Sequence, residues 1–194
     1  MDKEKEKRLK ILLVGDPGVG KTSLMTRYIK DKFDDNCATT IGVGFQEKKI
    51  IINSIKYIIT VLDTPGQVRY QSITKSYFRS VQGYFIVFDL TDIDSFNNLE
   101  NWINIIKEVV EEPNIIILAN KVDLLDNKIG DNQLKEFSLK NQIKIIIISV
   151  KENANIDKAF NEMINLIYNN PVNKRDTFIM TKDIHKTKKK KHFC

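Results

Sequence analysis

The chain has 194 residues, 42% of them hydrophobic and 29% charged, which is typical of one globular domain that buries most of its surface. Two cysteines cannot build a disulfide framework, and no apolar run approaches the ~20 residues of a membrane-spanning helix, so we expect a reducing cytoplasmic setting. The net charge of +6 lies in residues 171–194, which hold eight Lys and Arg against two Asp; the remainder has 23 charges of each sign and gives no support for nucleic-acid binding.

The N-terminal residues 1–8 are predicted to form a charged extension. The apolar stretch that follows them is only as long as a strand, so we expect neither a secretion signal nor a transit peptide. Asp2 stands where N-myristoylation requires glycine, which argues against that modification.

Strand and helix patterns alternate from residue 9 to about residue 169. Strand patterns occupy 9–14, 45–52, 56–62, 84–89, 114–120 and 144–149, and helical spacing occupies 21–29, 94–111, 131–141 and 156–167. The turn Asn53-Ser54 predicts an antiparallel hairpin between the second and third strands. The later strands are near-continuous in Ile, Val and Phe, which is typical of buried parallel strands. We therefore predict a three-layer α/β fold with a mostly parallel sheet over 9–170, followed by a flexible polybasic tail, 171–194.

The loop after the first strand fits a phosphate-binding pattern. Residues 15–22 read Gly-Asp-Pro-Gly-Val-Gly-Lys-Thr and match G-x-x-x-x-G-K-[ST] between a strand and a helix. The glycines let backbone N–H groups turn toward a β-phosphate at the positive end of the helix, where Lys21 reaches the phosphates and Thr22 ligates Mg²⁺. The phosphate-binding prediction covers Gly15, Gly18, Val19, Gly20, Lys21, Thr22 and Ser23.

Two further segments predict a preference for guanine. Asn120 and Lys121, with Asp123, end a buried strand; the Asp123 carboxylate can accept two hydrogen bonds from guanine, a donor pair that adenine lacks. The Lys121 stem can pack over the base plane. Ser149, Val150 and Lys151 end another strand and could offer the guanine carbonyl a backbone N–H.

A fourth group of residues is placed to serve the γ-phosphate and the metal. After the third strand, Asp63 is expected to hold Mg²⁺ through water, Gly66 to offer its N–H to the γ-phosphate, and Gln67 to orient an attacking water. Thr40 is expected to give its hydroxyl to Mg²⁺, the alternative being an ordinary turn residue. Phe33 is expected to stack on the guanine edge, the alternative being a core aromatic.

These elements, in this order and spacing, resemble those of Ras-like small GTPases over residues 9–169. Within that superfamily the chain looks most like Rab, on Ile-Gly-Val at 41–43 with Phe45, Tyr-Phe-Arg at 77–79, and Phe-Asp-Leu-Thr at 88–91 with Ser95-Phe96. The resemblance implies a G domain with a phosphate loop, a six-stranded sheet and five helices, which binds GTP or GDP with Mg²⁺ and hydrolyses GTP slowly. It also implies effectors, an exchange factor and a GTPase-activating protein that bind at about 33–46 and 63–79, and a role in vesicle-mediated membrane traffic.

The chain departs from the Rab pattern at several positions. Gly44 stands where Rab proteins usually have Asp, Leu62 where they have Trp, and Cys37 where an aromatic is expected. Pro65 and Val68 replace the usual Ala and Glu around Gly-Gln, and Val68 removes a carboxylate that the family uses in nucleotide exchange.

Three functions fit these residues. The first is a regulated GTPase switch. The second, suggested by Pro17, Pro65 and Val68, is a nucleotide-binding scaffold that hydrolyses little GTP. The third is an unrelated phosphate-loop enzyme such as a nucleoside kinase, which would leave Asn120 and Asp123 unexplained.

The tail predicts reversible attachment to the cytosolic face of an internal or plasma membrane. It ends in four lysines, 188–191, followed by His, Phe and Cys194. By resemblance to Rab tails, Cys194 is the expected prenylation site, although Rab tails more often carry two cysteines. The alternatives are a solvated end and a basic segment that binds nucleic acid.

Overall fold

The computed structural model describes residues 6–34, 40, 42–52, 54–65 and 76–170. Those ranges contain six strands and five helices of five or more residues. The strands are β1 (Lys7–Val14), β2 (Gly44–Ile52), β3 (Ile55–Asp63), β4 (Gly83–Asp89), β5 (Ile115–Asn120) and β6 (Lys144–Ile147). The helices are α1 (Lys21–Lys30), α2 (Ile93–Asn97), α3 (Leu99–Lys107), α4 (Asp131–Asn141) and α5 (Ile156–Asn169).

The six strands form one sheet in the order β2-β3-β1-β4-β5-β6. The hairpin β2–β3 is antiparallel, and every other neighbouring pair is parallel. Because β1, β3, β4, β5 and β6 all run the same way, their carboxyl ends meet at one edge, where ligands of such sheets bind. The predicted six-stranded, mostly parallel α/β fold is confirmed.

Side chains alternate between two hydrophobic cores, one on each face of the sheet. On β1, Ile11 and Leu13 join the core under α1 and α5, while Leu12 and Val14 join the core under α3 and α4. All seven residues of β4 and all six of β5 are buried, as expected for strands covered on both faces. Among the described residues, no helix combines the length and hydropathy needed to cross a bilayer.

The first strand begins at Lys7 rather than at residue 9, so β1 includes the last two residues of the predicted extension 1–8. Two further predicted elements differ from the structure. The helix predicted over 94–111 is broken at Asn98, which ends α2 and begins α3 and whose side chain donates to Asp16 at 2.7 Å. The predicted strand 144–149 ends at Ile147, because Ser149 instead forms an isolated antiparallel bridge with Ala154. Both differences lie at the carboxyl edge of the sheet, where polar contacts replace regular backbone pairing.

Candidate nucleotide-binding site

A cavity of about 400 Å³ opens at the carboxyl edge of the sheet. Twelve of the residues predicted for the site line it: Gly18, Gly20, Lys21, Thr22, Ser23, Phe33, Thr40, Asn120, Lys121, Asp123, Val150 and Lys151. Pro17, Asp34, Thr64 and Leu124 complete the lining among the described residues. The volume falls in the usual range for a small-molecule or cofactor site.

The phosphate loop leads directly into α1. That helix begins after Gly20, and its positive N-terminal end faces the cavity. No acidic residue in the first turn and no side chain at the N-cap offsets this positive charge. Two glycines of this loop combine a positive φ with a close neighbour that leaves no room for a Cβ. A Cβ at Gly15 (φ 137°) would lie 2.1 Å from the Val87 carbonyl oxygen, and one at Gly20 (φ 100°) would lie 2.5 Å from Asn120 Nδ2.

Lys21 is almost fully buried at the floor of the loop, 6% exposed. Its ammonium group donates to the carbonyl oxygens of Gly15 at 2.8 Å and Asp16 at 2.7 Å. Burial lowers the pKa of Lys21 to about 8, and the charges of Asp63 and Asp16 oppose that shift. A buried cation held among backbone carbonyls is poised to bind phosphate oxygens.

Three oxygen-bearing side chains from different segments meet beside Lys21. Thr22 Oγ1 lies 2.6 Å from Asp63 Oδ2 and 2.8 Å from Thr40 Oγ1, and Thr40 Oγ1 lies 3.4 Å from the same Asp63 oxygen. The structure therefore brings together all three predicted metal ligands. Burial raises the pKa of Asp63, and the Thr22 hydrogen bond and the Lys21 charge oppose the shift.

This set fits a hard cation. Asp63 Oδ1 is buried and has no hydrogen-bond partner among the described residues, so one carboxylate oxygen is available as a ligand. The described ranges contain no group of three His, Cys, Asp or Glu that could hold a metal. One carboxylate and two hydroxyls suit Mg²⁺, which takes few protein ligands and relies on phosphate oxygens and water for the rest.

Asn120 joins the phosphate loop to the loop at residues 149–151. Its Nδ2 donates to the Val19 carbonyl at 2.9 Å, and its Oδ1 accepts from the Val150 N–H at 3.2 Å. The side chain is buried at the end of β5. Asn120 therefore acts as a brace between two parts of the cavity wall.

Asp123 is held by Ser149. The Ser149 hydroxyl donates to Asp123 Oδ1 at 2.5 Å and accepts from the Glu152 N–H at 2.9 Å. Ser149 itself is buried behind the cavity, and Asp123 lines it. The Ser149 hydroxyl thus fixes the orientation of the carboxylate in the cavity wall.

The Lys121 ammonium group is fixed by a residue that the sequence analysis did not assign. Lys121 Nζ lies 2.6 Å from Asp89 Oδ2, and Asp89 Oδ1 accepts from the N–H and hydroxyl of Thr91. Although burial alone would raise the pKa of Asp89, hydrogen bonds from Lys121 and Thr91 lower it. Lys121 also adopts a left-handed φ of 67°. Asp89 therefore anchors the Lys121 head group while its aliphatic stem lines the cavity.

Phe33 has a place in both the cavity and the core, and its stacking on guanine stays a prediction. Its side chain lines the cavity and is also packed, half-buried, against the core formed with α1 and α5. The Arg27 guanidinium lies 5.8 Å from the centre of its ring.

Asp16 is a second residue that sequence reasoning missed. Its Oδ1 accepts from Asn98 Nδ2 at 2.7 Å and from Trp102 Nε1 at 2.8 Å, which ties the phosphate loop to α3. No motif signals this contact, because the partners lie more than 80 positions apart in the chain.

Gly15, Val19, Asp63 and Ser149 are buried or lie behind the lining, so they shape the cavity rather than form its surface. The predicted residues Gly66, Gln67 and Cys194 lie outside the described residues, as do Cys37, Val68 and the tail.

Comparison with known proteins relates the whole domain to one family. The sequence model of the Ras family matches residues 10–169. Ras-related protein Rab-18-B of Danio rerio is 35% identical over 173 residues, which cover 88% of this chain and 84% of that protein. Ras-related protein Rab-1D of Dictyostelium discoideum is 37% identical over 193 residues, 95% of each chain. Ras-related protein SEC4 of Candida albicans is 35% identical over 161 residues, 82% of this chain and 77% of that protein.

The depressed pKa of Lys21 predicts a pH-dependent stability. Because the folded value is about 8 and the ordinary value 10.5, the unfolded chain binds more protons between these pH values, so the stability contributed at this site rises with pH there. We expect wild type to gain up to about 3 kcal/mol relative to Lys21→Met across that range. The check is denaturant unfolding of both nucleotide-free proteins from pH 7 to 10.5. Parallel curves would show that Lys21 is not held at a depressed pKa.

Proposed function

This chain belongs to the Ras family of small GTPases, and we propose that it acts as a GTP/GDP switch that regulates vesicle-mediated membrane traffic. The resemblance to Rab proteins is confirmed, because two proteins with Rab names are 35% and 37% identical to this chain over most of their length. As a member of this family the chain is a GTPase, which splits GTP into GDP and phosphate.

One observation carries the proposal for the nucleotide. A fixed carboxylate, Asp123, and a buried ammonium group, Lys21, line the same cavity. The first matches the donor pair of guanine, and the second matches phosphate. ATP would leave the Asp123 carboxylate without a donor pair, which disfavours the nucleoside-kinase alternative.

We propose that Mg²⁺ accompanies the nucleotide. Thr22, Thr40 and Asp63 would hold it, and the metal would neutralise charge between the phosphate oxygens. We expect Mg²⁺ binding to depend on the nucleotide, because the described residues that meet at this point supply one carboxylate and two hydroxyls.

Replacement of Asp123 tests base recognition. Asp123→Asn should weaken GTP binding by 10²-fold or more and improve XTP binding, because xanthine has a carbonyl where guanine has its amino group. Competition of GTP and XTP against a fluorescent guanine nucleotide measures both affinities.

Asp126→Asn is the matched control, since it removes an exposed carboxylate from the same loop. Unchanged GTP affinity in Asp123→Asn would reject the assignment of Asp123.

For hydrolysis, we propose that Gln67 orients the attacking water and that Gly66 binds the γ-phosphate. Intrinsic turnover of such sites is slow, about 10⁻⁴ to 10⁻² s⁻¹, because a partner commonly supplies the stabilising arginine. A specific observation favours the scaffold alternative: Pro17 of the phosphate loop lines the cavity. Pro65 is buried and Thr64 before it donates to the Leu13 carbonyl at 2.8 Å, so the chain entering residue 66 is constrained.

Single-turnover hydrolysis separates the switch from the scaffold. Gln67→Leu should leave GTP affinity within about twofold and reduce the hydrolysis rate at least tenfold, because it removes a group that acts only on the water. Asn132→Leu, at an exposed position of α4, is the control. If wild type and Gln67→Leu hydrolyse GTP equally slowly, the scaffold alternative replaces the switch.

We propose that effectors and regulators bind at about 33–46 and 63–79. Part of that surface is described: Phe45 on the edge strand β2 is 70% exposed and pairs in register with Leu62 on β3. A large exposed aromatic beside a strand edge favours contact with another protein.

The tail is proposed to attach the protein to a membrane through a prenyl group on Cys194 and the adjacent lysines 188–191. One lipid chain binds a bilayer only marginally. Each lysine near an anionic leaflet adds ~1 kcal/mol, so four add about three decades of affinity.

Cell fractionation tests the anchor. Cys194→Ser should move most of the protein to the cytosol, because the lysines alone do not insert into the bilayer. Changing lysines 188–191 to Gln should weaken membrane binding in a salt-dependent way. If Cys194→Ser stays as membrane-bound as wild type, the lipid anchor is wrong.

A further inference from the structure

Arg27 occupies a position in the site that neither the motifs nor the proposed function assigns. It lies on α1, and its side chain is only 13% exposed. Nε donates to the Val150 carbonyl and Nη2 donates to the Lys151 carbonyl, both at 3.0 Å. A planar guanidinium can donate to two successive carbonyls through its fork of N–H groups, whereas a lysine ammonium has no such fork.

These two hydrogen bonds fix the direction of the loop backbone. In a trans peptide the N–H points opposite to the C=O, so carbonyls turned toward Arg27 turn the next N–H groups away from it. The Glu152 N–H, which shares a peptide unit with the Lys151 carbonyl, indeed donates to Ser149 Oγ at 2.9 Å. That same hydroxyl donates to Asp123 at 2.5 Å. A continuous path of contacts therefore leads from Arg27 to the carboxylate proposed to select guanine.

Arg27 also contacts Phe33, which lines the same cavity. Its guanidinium lies 5.8 Å from the centre of the Phe33 ring, within the range of a cation–π contact. Nη1 donates to the Asp31 backbone oxygen at 3.2 Å and lies 3.3 Å from Asp31 Oδ1, which in turn accepts from Asn153 Nδ2 at 3.1 Å. Asp31 is exposed, so this outer ion pair contributes little by itself.

We propose that Arg27 is a positioning residue that sets how long guanine nucleotide stays bound, by holding loop 149–152 and Phe33 against the base. The inference rests on the proposed function, because it assumes that a guanine nucleotide occupies the cavity. It goes beyond that function in identifying a residue on the phosphate-binding helix that controls the base-binding loop. Because α1 follows the phosphate loop directly, the Arg27 contacts would couple the loop proposed to bind the phosphates to the loop proposed to bind the base.

The test compares nucleotide release from full-length wild type, Arg27→Met and Arg27→Lys. Release of fluorescent GDP into excess unlabelled GDP should be at least about tenfold faster in Arg27→Met, because two charge-assisted hydrogen bonds are lost. Arg27→Lys should recover less than half of the effect on a logarithmic scale, because an ammonium cannot replace the fork. Arg8→Met, an exposed arginine on β1 far from loop 149–152 in the sheet order, is the matched control.

A ligand analogue distinguishes positioning from a general loss of structure. 2-Aminopurine riboside diphosphate lacks both the 6-carbonyl that loop 149–151 is proposed to bind and the N1–H that Asp123 is proposed to bind. The Arg27→Met effect on its affinity should therefore fall to about twofold, against about tenfold or more for GDP. Equal losses for both nucleotides would mean that Arg27 only supports the fold, and an unchanged GDP release rate in both Arg27 variants would also overturn the inference.

Failure of the proposed function gives a different result. If wild type binds neither GDP nor the analogue, the guanine site itself is wrong, and the inference about Arg27 falls with it. If Arg27→Met cannot be purified in folded form, Arg27→Lys carries the same comparison of GDP with the analogue, because the fork is still lost.

Discussion

The side-chain amide of Asn120 donates to the Val19 carbonyl in the phosphate loop and accepts from the Val150 N–H in the loop at 149–151. Both loops are irregular backbone, and neither has a regular ladder to fix it against the other. Burying that amide without hydrogen-bond partners would cost free energy. The phosphate loop must therefore reach its Nδ2, and the loop at 149–151 must reach its Oδ1. The same constraint explains Gly20, since any Cβ there would collide with Asn120 Nδ2. One residue at the end of β5 thus fixes the distance between the groups proposed to bind base and phosphate.

Two charged groups of the site are placed so that they favour ligand binding at a cost in the stability of the empty protein. Lys21 is buried at a lowered pKa, and Asp63 is buried at a raised pKa with one oxygen unpartnered among the described residues. Each of these groups is less stable in its charged form than it would be in water, and a phosphate–metal complex would offset that cost. Nucleotide binding would therefore be a source of stability for this fold.

The sequence predicted the fold and the composition of the cavity well, because both depend on local patterns. Alternating strands and helices indicated the α/β sheet. Motif chemistry alone singled out Lys21, at the start of α1, and Asp123, just after β5, as candidate site residues. The contacts that hold those residues were not predictable, since they join distant segments: Asp16 with Trp102, Lys121 with Asp89, and Arg27 with residues 150 and 151. Of these residues, only Asp89 had a sequence signal, because it lies within the Phe-Asp-Leu-Thr segment. Its contact with Lys121 could not be predicted, because it depends on the pairing of β4 with β5 that brings Asp89 beside Asn120. The break at Asn98 was missed for the same reason, because its side chain is held by Asp16.

We propose that one cavity, braced by Asn120, binds guanine at Asp123 and phosphate at Lys21. The most direct measurement is calorimetric titration of the nucleotide-free protein with GDP, GTP and ATP, each with and without Mg²⁺. We expect tight binding of GDP and GTP that Mg²⁺ strengthens, and ATP binding weaker by at least about 10²-fold, because adenine lacks the donor pair that Asp123 is proposed to bind. Equal affinities for ATP and GTP would contradict it.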